Sequence, residues 1–233
     1  MGLQHSPRIV TDGLVLCLDA ADKNSYTGSG TTWTDLSGQG NNGTLTNMSA
    51  TPFDSGNGGS LVFDGVNDYV SFSSFNFGNE LTVFCFVRPE SVNTISTIFA
   101  NASGGSSTNG IRLFLNHFVT NSRRLTIEVG NGTGGSALAS QNNIITYDTW
   151  NQVAFTLSKT TALGTVYHNG LSVGSGTLGV TNYNSNAAFR FGLFTDNQFP
   201  YKGRLSNYLL YNRALTATEI QQNYNATKTR FGL

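Results

Sequence analysis

The chain has 233 residues, with 13 basic and 13 acidic side chains, 38% apolar and 12% aromatic content. Zero net charge excludes a protein that binds nucleic acid by displacing counterions, because that mechanism needs a basic face. The apolar fraction can fill a core, which excludes wholesale disorder.

Glycine, serine, threonine and asparagine together make up roughly 45% of the chain, a turn-rich composition. Met1-Gly2 with Ser6 matches a loose myristoylation pattern, but no polybasic second signal follows it. No apolar core of a secretory signal follows Met1, and no run reaches the length of a membrane span. Short runs with period-2 alternation then recur. Leu14, Leu16 and Leu18 alternate with Val15 and Cys17. Further runs are Ser60–Phe63, Asp68–Phe72, Leu81–Val87, Ile95–Ala100, Ile111–Asn116, Leu125–Val129, Val153–Leu157, Phe189–Phe194 and Leu205–Tyr211. About ten to fourteen strands at this spacing predict an all-β sandwich or jelly roll. Asn169-Gly170 sits between two strand-like runs, and both residue types accept the positive φ of a type I′ hairpin turn.

One helix is signalled, near the C-terminus. Thr216-Ala-Thr-Glu219 reads as a capping box, with Leu215 stapling onto Ile220. Ile220 and Tyr224 would face the body. The helix is expected to end by Ala226 or Thr227, leaving Lys228–Leu233 as a charged tail.

Cys17 and Cys85 lie in apolar runs, far too sparse for a disulfide scaffold and without the spacing of a zinc site. They read as buried thiols or as one bridge. The three histidines give no nucleophilic triad: His5 is in the leading segment, His117 ends a strand and His168 precedes a hairpin turn, where solvation is expected. Gly130-Asn-Gly132-Thr-Gly134-Gly135 follows a strand as a dinucleotide fingerprint would, but no helix follows, so it reads as a hairpin loop. The four glutamates, Glu80, Glu90, Glu128 and Glu219, are scattered. No strand projects two acids from one face, so the chain is expected to carry no catalytic residues.

Several blocks in order carry a resemblance. They are Gly13–Ala20, Trp33–Thr44, Leu61–Val70, Leu81–Pro89, Trp150–Thr156, Tyr167–Gly170 and Gly203–Ile220. The set resembles a laminin-G-like domain of the concanavalin A-like lectin/glucanase superfamily. This implies a jelly-roll sandwich of two antiparallel sheets with a short C-terminal helix. It divides the chain into a tail, 1–9, and one domain, 10–233. The overall wording, including the Arg230-Phe-Gly-Leu233 ending, is also similar to such domains in structural proteins of tailed viruses of aquatic bacteria. That implies a non-enzymatic structural or adhesive protein, assembled in the host cytoplasm and exposed on the virion surface. Its expected partners are other virion proteins and host-surface glycan, with no nucleic acid or membrane partner, and homo-oligomers are one mode of display. A bacterial cell-surface or secreted lectin is the alternative and a glycan hydrolase the third. The Glu-x-Asp-x-x-Glu strand of glucanases is absent.

Two candidate sites follow. Phe194, Asp196, Asn197, Phe199 and Tyr201 combine aromatic faces with hydrogen-bonding side chains, the mixture that a carbohydrate site uses; the alternative is that the aromatics are core, tucked under a loop. Asp64 and Asp68 flank a tight loop, where they either cap turn amides or hold Ca²⁺. Relatives often carry an Ile-Asp pair where this chain has Leu205-Ser206-Asn207, which removes one candidate ligand charge.

Overall fold

A computed structural model describes residues 8–74 and 76–233. The Met1-Gly2 pattern, His5 and most of the expected 1–9 tail lie outside the described residues. The first eight strands are β1 (Leu14–Asp19), β2 (Thr32–Trp33), β3 (Gly43–Thr46), β4 (Phe53–Asp54), β5 (Ser60–Asp64), β6 (Tyr69–Phe72), β7 (Glu80–Pro89) and β8 (Ser96–Ala100). The next eight are β9 (Gly110–His117), β10 (Thr120–Gly130), β11 (Gly135–Ala139), β12 (Asn151–Ser158), β13 (Leu163–His168), β14 (Leu171–Thr177), β15 (Phe189–Phe191) and β16 (Lys202–Tyr211). They form two antiparallel sheets, a jelly-roll sandwich. The first sheet runs β14-β13-β12-β7-β16-β5-β4, with β1 also on β16. The second runs β11-β10-β9-β8-β15-β6-β3-β2.

The main core lies between the sheets and alternates as the pleat requires. From β7 it takes Val83, Cys85 and Val87, and from β10 it takes Leu125, Ile127 and Val129. Phe191 of the second sheet stacks on Tyr208 of the first, and the Tyr208 hydroxyl donates to the Ile98 carbonyl at 3.1 Å. Burial without loss of that hydrogen bond lets a polar tip sit in a dry core.

β16 is the hinge of the first sheet. One edge pairs with β7; the other pairs first with β5 and then with β1. The register against β7 shifts between Leu205 and Tyr208. There Asn207 Oδ1 accepts the Phe86 amide at 3.1 Å, and Ser206 Oγ donates to the Gly59 carbonyl. Ser206-Asn207 therefore satisfies backbone groups that the bulge leaves unpaired.

A second apolar layer covers the outer face of the first sheet. Phe84 and Phe86 of β7 point into it, opposite to Cys85, and meet Ile220, Tyr224 and Phe231. The helix α1 (Ala217–Thr227) starts as its sequence dictates. Thr216 accepts the Glu219 amide, and Glu219 reaches back to the Thr216 amide at 2.9 Å. The residues after it are not a free tail. A short 3₁₀ turn, Lys228–Phe231, places the Phe231 ring 4.0 Å from that of Phe86, stacked. Arg230 grips both carboxylate oxygens of Asp19 at 2.8 Å. Burying a Phe side chain contributes roughly 1.5–3 kcal/mol, which offsets the entropy of ordering this segment.

Other expectations resolve locally. Asn169 and Gly170 have φ of 50° and 79°, as the type I′ turn requires. Gly130 to Gly135 joins β10 to β11 as a hairpin. His168 is half-buried rather than solvated; its Nε2 lies 3.0 Å from Asn151 Oδ1, and burial lowers its pKa. The two cysteines are free and on opposite faces of the first sheet, so they form no bridge. Burial, with Asp19 and Asp35 nearby, pushes the Cys17 thiol up to about 12, and burial raises Cys85 as well.

Glu219 also forms a two-pronged pair with Arg213, at 2.6 and 2.9 Å. That pair and the cap amide hold its carboxyl at about 2, below its ordinary 4.5. The folded chain thus binds this proton less tightly than the unfolded chain. The stability contributed is present above about pH 4.5 and is lost as the pH falls towards 2. Glu219→Gln should cost about 1 kcal/mol at neutral pH, a figure kept small by partial exposure. Urea unfolding at descending pH should show the gap between variant and parent closing; a constant gap would mean that the charge contributes nothing.

Candidate functional site

A second, smaller apolar cluster lies on the outer face of the second sheet: Ile95, Ala100, Phe114 and Phe194, with Phe199 packed against it. Beside it is a cavity of about 390 Å³. Phe118, Phe194, Phe199 and Ile95 supply its apolar wall, and Glu128, Gln198 and the Gly104-Gly105-Ser106 loop supply its polar side. The rings form an edge-to-face series from inside to outside. Phe114 meets Phe194 at 6.2 Å, Phe194 meets Phe199 at 5.2 Å, and Phe199 meets Phe118 at 6.0 Å. The last ring, Phe118, is 58% exposed at the turn between β9 and β10, beside Val119.

Arg112 of β9 holds the polar side in place. It is fully buried, and its guanidinium has four acceptors. Nε donates to Glu128 Oε1 at 2.7 Å; the terminal nitrogens donate to the carbonyls of Ser103, Ser106 and Thr108 at 2.9, 3.1 and 3.3 Å. One side chain thereby ties the loop after β8 to β10. Asp196 ties the same loop from the other side: its Oδ2 accepts the Gly104 amide at 2.8 Å and Gln198 Nε2 at 3.1 Å. The glycine-rich hairpin is needed for this arrangement. The 106–108 backbone lies so close to Gly130 and Gly135 that a Cβ on either would collide with it.

The five residues expected to bind carbohydrate separate in space. Phe194 and Phe199 line the cavity, and Asp196 braces its loop. Asn197 turns away; its Oδ1 accepts Arg190 at 2.8 Å. Tyr201 is fully buried, edge-on to Phe63 at 5.6 Å with its hydroxyl on the Arg204 carbonyl, so its ring offers no face to a ligand. The sequence reading missed Phe118, Glu128 and Gln198. The signal for Phe118 was a bulky apolar pair, Phe118-Val119, standing at a turn between polar neighbours. The backbone at the cavity is also strained. Val119 and Phe199 have φ of 55° and 56°, a region that β-branched and bulky residues rarely occupy and that clusters at functional sites.

Asp64 and Asp68 sit at the turn between β5 and β6. Asp64 Oδ1 accepts the Val66 amide at 2.7 Å, and Asp68 Oδ2 accepts the Asp64 amide at 2.8 Å. Asp68 is 2% exposed, and its other oxygen is enclosed without a partner. Among the described residues no group of three His, Cys, Asp or Glu side chains comes together as a metal site. Each carboxylate gives one oxygen to a turn amide, so the pair alone leaves fewer free oxygens than the roughly six to eight that Ca²⁺ takes.

The comparisons extend this picture. A family model described as the concanavalin A-like lectin/glucanases superfamily matches residues 64–221. No curated protein matches the sequence. Among solved structures, the botulinum neurotoxin type G receptor binding domain is similar over 91% of this chain and 51% of its own, at 16% identity and a TM-score of 0.65. The binding domain of Paraclostridial Mosquitocidal Protein 1 is similar over 93% and 52%, at 16% identity and 0.67. Trypanosoma rangeli sialidase is similar over 95% of this chain and 35% of its own, at 17% identity and 0.65. The chain thus spans about half of the toxin domains and about a third of the sialidase, and identities this low establish a shared fold alone.

Burial, and then the neighbouring Asp64 carboxylate, raise the Asp68 pKa above its ordinary 3.8. The folded chain binds this proton more tightly than the unfolded chain, so stability falls as the pH rises past 3.8. Asp68→Asn, which has the shape of the protonated acid, should leave the Tm at pH 7 equal or higher, with any gain gone in acid. Calcium and EDTA should give one melting curve. A rise in Tm with calcium that the Asn variant abolishes would make the pair a metal site.

Proposed function

Because the chain belongs to the concanavalin A-like lectin/glucanase superfamily, we propose that it is a non-enzymatic glycan-binding module whose cavity on the second sheet takes the sugar. One observation carries this reading. The exposed Phe118 and the half-buried Phe199 share the lining of a cavity the size of a small ligand with a carboxylate and an amide, Glu128 and Gln198. Sugars present an apolar ring face and an edge of hydroxyls, and this lining offers a group for each. The likeness to domains titled as receptor-binding and binding domains of toxins supports a role in attachment.

Turnover would need two carboxyl groups set across a glycosidic bond, one giving a proton. Glu128 is the carboxylate among the lining residues, and its Oε1 is bound by Arg112. Asp196 is nearby but already accepts two donors on one oxygen. The sialidase likeness favours a hydrolase as the second reading, and the assay below includes it. We further infer a place on a virion, as an appendage or decoration that meets host glycan. The similarity of the sequence blocks to virion structural proteins supports that role. Copies on a particle would gain from effective concentration what a single shallow site lacks.

Phe118→Ala should leave folding intact, since the ring is 58% exposed. It should weaken glycan binding by roughly 10- to 150-fold, the equivalent of about 1.5–3 kcal/mol of lost ring burial. Glycan arrays followed by calorimetry on the full chain would measure this. Equal binding by parent and variant would remove the cavity from the reading. Sugar release lost in Glu128→Gln would establish the hydrolase instead.

A further inference from the structure

We propose that the cavity selects uncharged saccharides and rejects acidic ones, an inference that rests on the glycan-binding reading above. Of the residues that line the cavity, Glu128 is the one that carries a charge. Arginine or lysine is the usual partner of a carboxylate or sulfate, because a charged donor roughly doubles the strength of the hydrogen bond.

Two of the cations nearby are committed elsewhere, and a third, Arg124, whose enclosed Nε has no partner, stands at a distance. Arg112 is fully buried beneath the loop and spends its donors on Glu128 and three carbonyls. Arg190 donates to the Phe194 carbonyl and Asn197, with its guanidinium 4.3 Å over the Tyr69 ring. Arg124 shares the outer face of β10 with Glu128 but stands four residues before it, roughly 13 Å along the strand. Asp196, which braces the loop, adds a second negative charge near the opening.

An acidic sugar entering here would lose its hydration and meet the Glu128 carboxylate with no cation in the lining to compensate, which is a net cost. A neutral ring loses little. Its hydroxyls can donate to the free oxygen of Glu128 and exchange hydrogen bonds with the Gln198 amide. Its apolar face can lie on Phe118 or Phe199. An acetamido substituent is compatible with this lining, since it carries no charge and its methyl suits the aromatic wall.

The test pairs glycans that share a core. Lactose and 3′-sialyllactose, and α1,4-galactobiose and α1,4-digalacturonate, would be titrated into the full chain by calorimetry at low and high salt. Neutral members should bind at least about tenfold tighter than acidic ones. Their affinity should be insensitive to salt, because no charge pair forms to be screened. Ser106→Lys, at an exposed position on the rim, should narrow or reverse the preference by supplying the missing cation. Tighter binding of the acidic members, weakened by salt, would overturn the selectivity while upholding the glycan site. Absence of binding by both members of every pair, together with an empty glycan array, would overturn the glycan reading itself. Neutral-sugar binding untouched by Phe118→Ala would place the sugar elsewhere and overturn the inference.

Discussion

The architecture depends on the double coverage of the first sheet. Its inner face packs on the second sheet, and its outer face packs beneath α1 and the closing 3₁₀ turn. β7 is consequently buried along nearly its whole length, with Phe84 and Phe86 on one side and Val83, Cys85 and Val87 on the other. A strand with no wet face cannot slip by one residue without exchanging two packed surfaces. That rigidity fixes β16 beside it, including the bulge at which Asn207 answers the Phe86 amide. Because Tyr208 follows at once and reaches across to Ile98, the position of one sheet is transmitted to the other.

The second sheet is organised differently, and the candidate site follows from that difference. Among the described residues its outer face carries no helix. It is covered in part by loops, and those loops need internal anchors. Arg112 is one. Removing one partner of a buried pair typically costs about 3–5 kcal/mol; the enclosure of Arg112 under the 103–108 loop is tolerated because each of its three nitrogens has an acceptor. Asp196 is the other anchor. Between them, the loop over the cavity is held by hydrogen bonds rather than by apolar packing, which leaves the neighbouring Phe118 and Phe199 free to present apolar surface.

Much of the fold was readable because its local signals agree with its long-range packing. The Asn169-Gly170 turn and the Thr216–Glu219 cap each needed only short-range chemistry. The two-residue strands β2 and β4 carry no periodicity, so only their partners define them. Lys228–Leu233 looked like a solvated tail because its charges hid Phe231, which docks through one ring while Arg230 pairs with Asp19. The site was half-legible. The segment from Phe194 to Tyr201 showed the right mixture, yet a strand period cannot say that Tyr201 points into the core while Phe199 points out. Glu128 and Phe118 come from other parts of the chain, and Arg112 reads as an interruption in an apolar strand. Their convergence is a property of sheet order, which single-sequence periodicity does not encode.

The two described ends of the chain meet on one side of the molecule. Asn223 in the final helix accepts the Val10 amide at 2.7 Å, Gln222 donates to the Arg8 carbonyl at 2.8 Å, and Phe231 packs on the same outer layer. The cavity lies on the outer face of the opposite sheet. Chain leaving the body at Arg8 or after Phe231 therefore starts from the back, with the full thickness of the sandwich between it and the opening. Tension between the two ends would run through the helix and the first sheet alone, leaving the opening outside the line of force. The sandwich in this sense has a handle and a working edge, and both described ends of the chain lie in the handle.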